Sequence, residues 1–231
     1  MMRFIVLRHQ EEEGLGTIGD WLKQHGHAFF YVNLFAAQRP PANALMAYDA
    51  LVSMGGPMSV NDDSRLMQTS LALTADFVQA KRPVLGVCLG AQAIAKVAGG
   101  KISASAFELG FSTVKPVTGH RFFSDGKLSA HEWDVFQWHG ENFTLPARAE
   151  HLFSGDAVAN QAFTLDNALA LQFHNELSFD WYSMWHESLR HKFEKMDGLK
   201  PPTPDMPFAA LQKNMFSLLD VWQTSWAIHG L

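Results

Sequence analysis

The sequence predicts an α/β fold: a mostly parallel central sheet with helices on both faces, a smaller mixed or antiparallel sheet, and a helical C-terminal extension. Three observations carry this. Early in the chain, short apolar runs rich in branched and aromatic residues alternate with segments of helical spacing, the pattern left by parallel strands joined through crossover helices. From residue 101 to 173 the texture changes to short strands punctuated by turn residues. Beyond residue 179, two stretches carry apolar residues at helical period. With 231 residues, 47% of them hydrophobic, the chain is long enough to bury one substantial core. A single domain over 1–231 is therefore expected, with a core to about residue 178 and an extension over about 179–231.

Taken in order, residues 3–7, 28–34, 50–54 and 84–87 are the expected buried strands of the parallel half. Residues 16–24 and 64–80 supply helices between them, the second with Leu66, Leu71, Leu73, Phe77 and Val78 on one face. In the later half, 112–116, 135–139 and 168–173 read as strands. Residues 179–193 place Trp181, Met184, Trp185, Leu189 and Phe193 at approximate helical spacing. Residues 208–228 repeat the habit with Leu211, Met215, Leu218, Leu219, Trp222 and Trp226. Four prolines in 200–207 make that stretch an extended loop. The two helices are expected to cover the sheet, or to present a homodimer or partner surface if their tryptophans and methionines stay exposed.

Composition excludes several classes. The formal charge of -5 is modest and spread along the chain, so no footprint for nucleic acid or an anionic membrane is visible. The apolar run at the start is broken by Arg3 and Arg8 and lacks a secretory cleavage pattern, and no stretch approaches a membrane span. A single cysteine excludes an intrachain disulfide framework and fits a reducing, cytoplasmic setting. Eleven histidines invite a metal, yet there is no His-Glu-x-x-His and no second cysteine, so neither metal nor cofactor is expected. Glycine-rich phosphate loops are missing as well, which argues against ATP use within this chain.

Gly86-Val87-Cys88-Leu89-Gly90 has the G-x-nucleophile-x-G spacing of a nucleophile elbow, placed where a buried strand gives way to an Ala-rich helix. In so sharp a turn, side chains two positions either side of the nucleophile would collide, hence the glycines. The turn aims the sulfur outward at a helix N-terminus, whose dipole favours a thiolate. A lone cysteine is more often a small buried hydrophobe; the flanking glycines tip the reading toward a nucleophile. Such a thiolate needs a base and donors for an oxyanion. In Gln172-Phe173-His174-Asn175-Glu176, an extended backbone sends His174 and Glu176 to one side, so the carboxylate can orient the imidazole. A His-x-Glu pair alone is usually a surface feature.

Together these segments resemble the class I glutamine amidotransferases, with the closest likeness to the stand-alone, GMP-synthase-like members. Ser53-Met54-Gly55-Gly56-Pro57-Met58-Ser59-Val60 is similar to that family's oxyanion loop. The likeness covers roughly the first three quarters of the chain and is weakest over 100–130. It implies a flavodoxin-like sheet, a Cys88-His174-Glu176 triad, and an oxyanion hole from the backbone N–H groups of Gly56 and Leu89. It also implies a substrate site at Gln92, Asn160, Ala162 and Phe163. Where the family usually carries proline between histidine and glutamate, this chain has Asn175, which bears on how firmly His174 is held. Trp138-His139-Gly140-Glu141 offers a second His and Glu; the stand-alone members are similar here too, so pocket lining is expected rather than a base. His9, Glu12 and Glu13 follow the first strand; they can reach the pocket rim, and a solvated loop is the favoured expectation. The implied activity is hydrolysis of the glutamine side-chain amide to glutamate and ammonia through a Cys88 thioester, with a synthetase on another chain as possible ammonia acceptor. Two alternatives stand beside it: hydrolysis of γ-glutamyl peptides or conjugates by the same triad, and a catalytically silent regulatory or scaffolding module.

Overall fold

The computed structural model describes residues 1–124, 126, 128–188 and 200–226. Four short strands, β1 (Arg3–Arg8), β2 (Ala28–Asn33), β3 (Ala50–Ser53) and β4 (Val84–Val87), lie parallel, with β9 (Ala168–Leu171) parallel to β4. Their order, β2-β1-β3-β4-β9, is that of a doubly wound sheet. The crossovers include α1 (Thr17–Gln24), the single-turn α2 (Ala44–Ala47), α3 (Arg65–Gln79) and α4 (Leu89–Val97). The start of α3 is fixed by Ser64, whose hydroxyl accepts the Met67 N–H at 3.2 Å.

The smaller antiparallel sheet that the sequence suggests is present as a long two-stranded ribbon, and it is joined to the edge of the main sheet. β5 (Ile102–Pro116), β6 (Trp133–Phe143), β7 (Glu150–Ser154) and β8 (Ala162–Leu165) continue the same nine-stranded sheet beyond β9. The long β5–β6 ribbon joins the sheet through Lys115 and Pro116, which pair with Ser154 and Phe153 of β7, and Phe136 of β6 makes a further isolated bridge to His174. A register shift between Ala104 and Glu108 bends β5.

Helices α5 (Phe179–Ser188) and α6 (Phe208–Trp226) form the extension. The apolar stripe of α6 is consumed by the core: Leu211, Met215, Leu218, Leu219, Trp222 and Trp226 are all buried. Trp222 Nε1 donates to the Asn167 carbonyl at 2.9 Å, tying α6 to the β8–β9 turn. On α5, Tyr182 and Trp185 are buried and Met184 faces outward. Leu189, Phe193 and Ile228, also expected on these helices, lie outside the described residues. No helix among the described residues is long and apolar enough to cross a membrane.

Candidate active site

The strand-to-helix turn is as sharp as its glycines suggest. Cys88 sits at φ 51°, ψ -107°, a conformation a non-glycine residue adopts only under strain. A Cβ on Gly90 would lie 1.9 Å from the Ser53 carbonyl oxygen, and one on Gly86 would lie 2.5 Å from the Gly90 backbone. Only glycine lets β3, β4 and the first turn of α4 approach this closely. The Cys88 N–H donates to the Leu171 carbonyl at 2.7 Å, so the turn is also bonded to β9. The thiol is 6% exposed and lies 3.8 Å from both the Trp138 carbonyl and the Gln172 amide nitrogen.

Just past β9, the His174 N–H donates to the Phe136 carbonyl of β6 at 2.7 Å. The Glu176 carbonyl accepts the first N–H of α1, from Thr17, at 2.8 Å. These two bonds pin the His-Asn-Glu segment without the family's proline. His174 Nδ1 and Glu176 Oε1 stand 2.7 Å apart, both side chains buried. Burial works against an imidazolium here, but the Glu176 carboxylate and the hydrogen bonds to Cys88 and Glu176 outweigh it and hold His174 well above its ordinary pKa. One ring nitrogen is thus committed to Glu176, and Cys88 stands close enough to be among the groups that raise the imidazole's pKa.

The loop after β3 closes the third side. A Cβ on Gly56 would meet Leu89 Cδ2 at 3.1 Å and His9 Cβ at 2.9 Å, so the loop lies directly over the start of α4 and against the end of β1. A cavity of about 460 Å³ opens beside Cys88, lined by Gly56, Met58, Gln92, Phe107, Trp138 and Glu141 among others. Ser59 Oγ donates to Glu141 Oε1 at 3.1 Å, and Gln92 Nε2 to the Glu141 carbonyl at 3.0 Å. Phe107 is 59% exposed at the rim. As the sequence suggests, Trp138 to Glu141 line the pocket; His139 Nε2 is turned to Glu108 and Gln137, each at 3.1 Å.

Asn160, Ala162 and Phe163 lie farther along the antiparallel half. Asn160 Nδ2 donates to the Phe143 carbonyl at 2.8 Å and its own carbonyl accepts from Asn142, which makes it a brace at the end of β6. Ala162 and Phe163 are fully buried in β8, with Phe163 edge-on to Phe143 at 5.1 Å. None of the three is among the residues lining the Cys88 cavity. The loop after β1 is not solvated either. His9 is 1% exposed and bonds Ser70 Oγ at 2.8 Å, and burial lowers its pKa to about 4. Glu13 is partly buried against Gly55. The signal missed is tertiary: Trp185, from α5, donates to the Glu12 carbonyl at 2.7 Å and seats the loop. A His-x-His pair, His25 and His27, packs on Trp21. Among the described residues no group of three or more His, Cys, Asp or Glu could hold a metal ion.

A family model described as "Glutamine amidotransferase class-I" matches residues 18–183. A crystal structure of a glutamine amidotransferase from Thermotoga maritima superposes with a TM-score of 0.86 over 96% of this chain and 97% of that one, at 28% identity. A glutamine-hydrolyzing GMP synthase of Thermomicrobium roseum is 32% identical over 55% of this chain and 23% of its own length. One subunit of the glutamine-hydrolyzing GMP synthase of Sulfolobus acidocaldarius is 31% identical over 58% of this chain and 70% of its own length. The chain spans less than half the length of other curated relatives it matches, the Thermomicrobium enzyme included.

Proposed function

The chain belongs to the glutamine amidotransferase class-I family, and from that premise we propose that it hydrolyses the side-chain amide of glutamine through a thioester on Cys88. The observation that carries the reading is the 2.7 Å pair of His174 and Glu176 set on the Cys88 sulfur, beside a cavity that ends at Gly56. The sulfur attacks the amide carbon. The N–H groups of Gly56 and Leu89 hold the resulting oxyanion, a contribution that elsewhere amounts to about 3 to 4 kcal/mol per donor. His174 then delivers a proton to the departing nitrogen, and ammonia leaves. Water next attacks the thioester, giving its proton to His174 while sulfur departs, so that glutamate is released and the site returns to its starting state. Glu176 holds one tautomer of His174 throughout.

At the other end of the substrate, Gln92 and the Ser59–Glu141 pair offer polar groups to an amino acid. The Glu141 carboxylate suits its ammonium. Ammonia would pass to a synthetase on a partner chain; the Sulfolobus relative, itself named as one subunit of a synthase, supports that reading. One observation favours a second substrate class: Pro57, Met58 and Phe107 give the cavity of about 460 Å³ an apolar side that suits a leaving group larger than ammonia, as in a γ-glutamyl peptide.

Mass spectrometry of the protein quenched during incubation with glutamine tests the mechanism. The expected result is a glutamyl adduct on Cys88 in the wild type and none in Cys88→Ser. Absence of both adduct and ammonia release, with and without a synthetase partner, would instead support a non-catalytic module. Parallel assays with γ-glutamyl dipeptides decide between the two substrate classes.

A further inference from the structure

Glu13 plays no part in the chemistry described above, yet its carboxyl is built into the site. A Cβ on Gly55 would lie 2.1 Å from Glu13 Oε2 and 3.2 Å from His174 Cε1. The carboxyl therefore stands against the first glycine of the oxyanion loop, beside the edge of the imidazole, and Glu176 already holds Nδ1 of that ring. The loop bearing Glu13 is fastened from both sides. Arg8 Nε donates to the Glu13 carbonyl at 3.2 Å, and a second guanidinium nitrogen donates to the Glu11 carbonyl. From α5, Trp185 donates to the Glu12 carbonyl at 2.7 Å and lies edge-on to His174 at 5.9 Å. Trp181 closes over Gly14, its ring 3.1 Å from where a Cβ would stand.

We propose that Glu13 is a positioning residue of this site, a second carboxylate that holds His174 as imidazolium once Cys88 has given up its proton. The proposal rests on the triad reading above. The charged groups facing the Glu13 carboxyl are His174, Glu176 and Glu12, with Cys88 beyond the imidazole. Burial pushes Glu13 up to about 7, His174 opposes that rise, and Glu176 and Glu12 add to it. Glu13 is accordingly neutral in acid and becomes an anion near pH 7, where it raises the pH at which His174 loses its proton. A neutral glutamine at this position keeps the shape and removes the charge.

The test is the rate of Cys88 carboxamidomethylation by iodoacetamide from pH 5 to 10 on the full chain, with kcat and KM for glutamine alongside. Alkylation reads the sulfur–imidazole pair without any substrate, so it stands if glutamine proves the wrong substrate. In the wild type a step near pH 7 is expected, followed by an alkaline change as His174 deprotonates. In Glu13→Gln the step disappears and the alkaline change moves down by about one pH unit, the scale of one nearby opposite charge. Loss of about tenfold in kcat with KM within twofold would accompany it, and Glu13→Asp would recover the step and part of the rate. Exposed Glu11→Gln serves as control and should match the wild type. If Glu13→Gln folds and its alkylation profile superimposes on the wild type, the proposal is wrong. Equal losses in Glu13→Gln and Glu13→Asp with both profiles unchanged would likewise overturn it, leaving a packing role. Should Glu13→Gln fail to fold, the profile of Glu13→Asp decides alone: an unmoved step near pH 7 is expected, and its absence refutes the assignment. Alkylation that depends on Glu13 with no turnover of glutamine would sink the substrate reading and leave this one in place.

Discussion

β3, β4 and β9 are buried at every position, whereas β5 leaves much of its length partly or fully exposed and joins the sheet through two residues of β7. Both halves border the same cavity. The buried, parallel half carries the groups that must not move: Cys88 at its strained turn, the Gly55–Gly56 loop, and His174 at the end of β9. Strands packed on both faces can sustain that strain because neighbouring backbone leaves no alternative. The antiparallel half supplies Phe107 and the Trp138 to Glu141 wall, which line the cavity and which the proposed reaction would set against the substrate. On the proposed function, reacting groups sit where packing is tightest, and groups that would choose the substrate sit where the sheet is most open.

That division can be broken most severely at the triad. Cys88→Ala and His174→Ala should each lower kcat for glutamine by at least about 10⁴-fold, and the double variant should be no worse, because the two act as a unit. Steady-state ammonia release checks this; additive losses would count against the triad. Gly90→Ala drives a Cβ into the Ser53 carbonyl and should lower stability by more than about 3 kcal/mol, read from the urea midpoint. A mild effect would mean that β3 and α4 are less tightly apposed than their geometry implies.

The next effect separates the halves by pH. His9 lies under the Gly55–Gly56 loop with its pKa depressed to about 4 from 6.5 by burial. Its neutral form is favoured in the folded chain, so the stability it contributes is fully present above pH 6.5 and is lost as pH falls through 4. The loss should approach about 3 kcal/mol. His9→Gln, which cannot ionise, should flatten the fall in urea midpoint between pH 6.5 and 4 by that amount.

On the open side the effects should be smaller and fall on binding. Glu141→Gln should raise KM for glutamine about tenfold with kcat within twofold, consistent with one charge-assisted hydrogen bond. A fall in kcat instead would move Glu141 into the chemistry. Phe107→Ala should change kcat/KM for glutamine by less than about threefold, as expected of a largely exposed side chain. A greater loss with γ-glutamyl peptides than with glutamine would sharpen the assignment of the rim to larger leaving groups.

The buried half was the more legible in sequence for the same physical reason. A strand covered on both faces must be a continuous apolar run, and Val84–Val87 falls where the sequence places it. The glycines around Cys88 were readable because steric exclusion leaves no substitute. Glu150–Ser154 begins with two polar residues and gives no such run, so β7 is not legible in the sequence. Ala162–Leu165 is only four residues long, too short for periodicity to mark it as a strand, and Phe163 packs there on Phe143. Nothing in His9 to Glu13 announces burial, since the residue that seats this loop, Trp185, lies 173 positions from Glu12.

The indole of Trp185, 5.9 Å from His174, gives the site an optical property of its own. Protonated imidazole quenches indole emission more strongly than the neutral ring, so fluorescence from this tryptophan should track the charge on its neighbour in real time. Stopped-flow mixing with glutamine could then time proton movements within a single turnover, with no label attached.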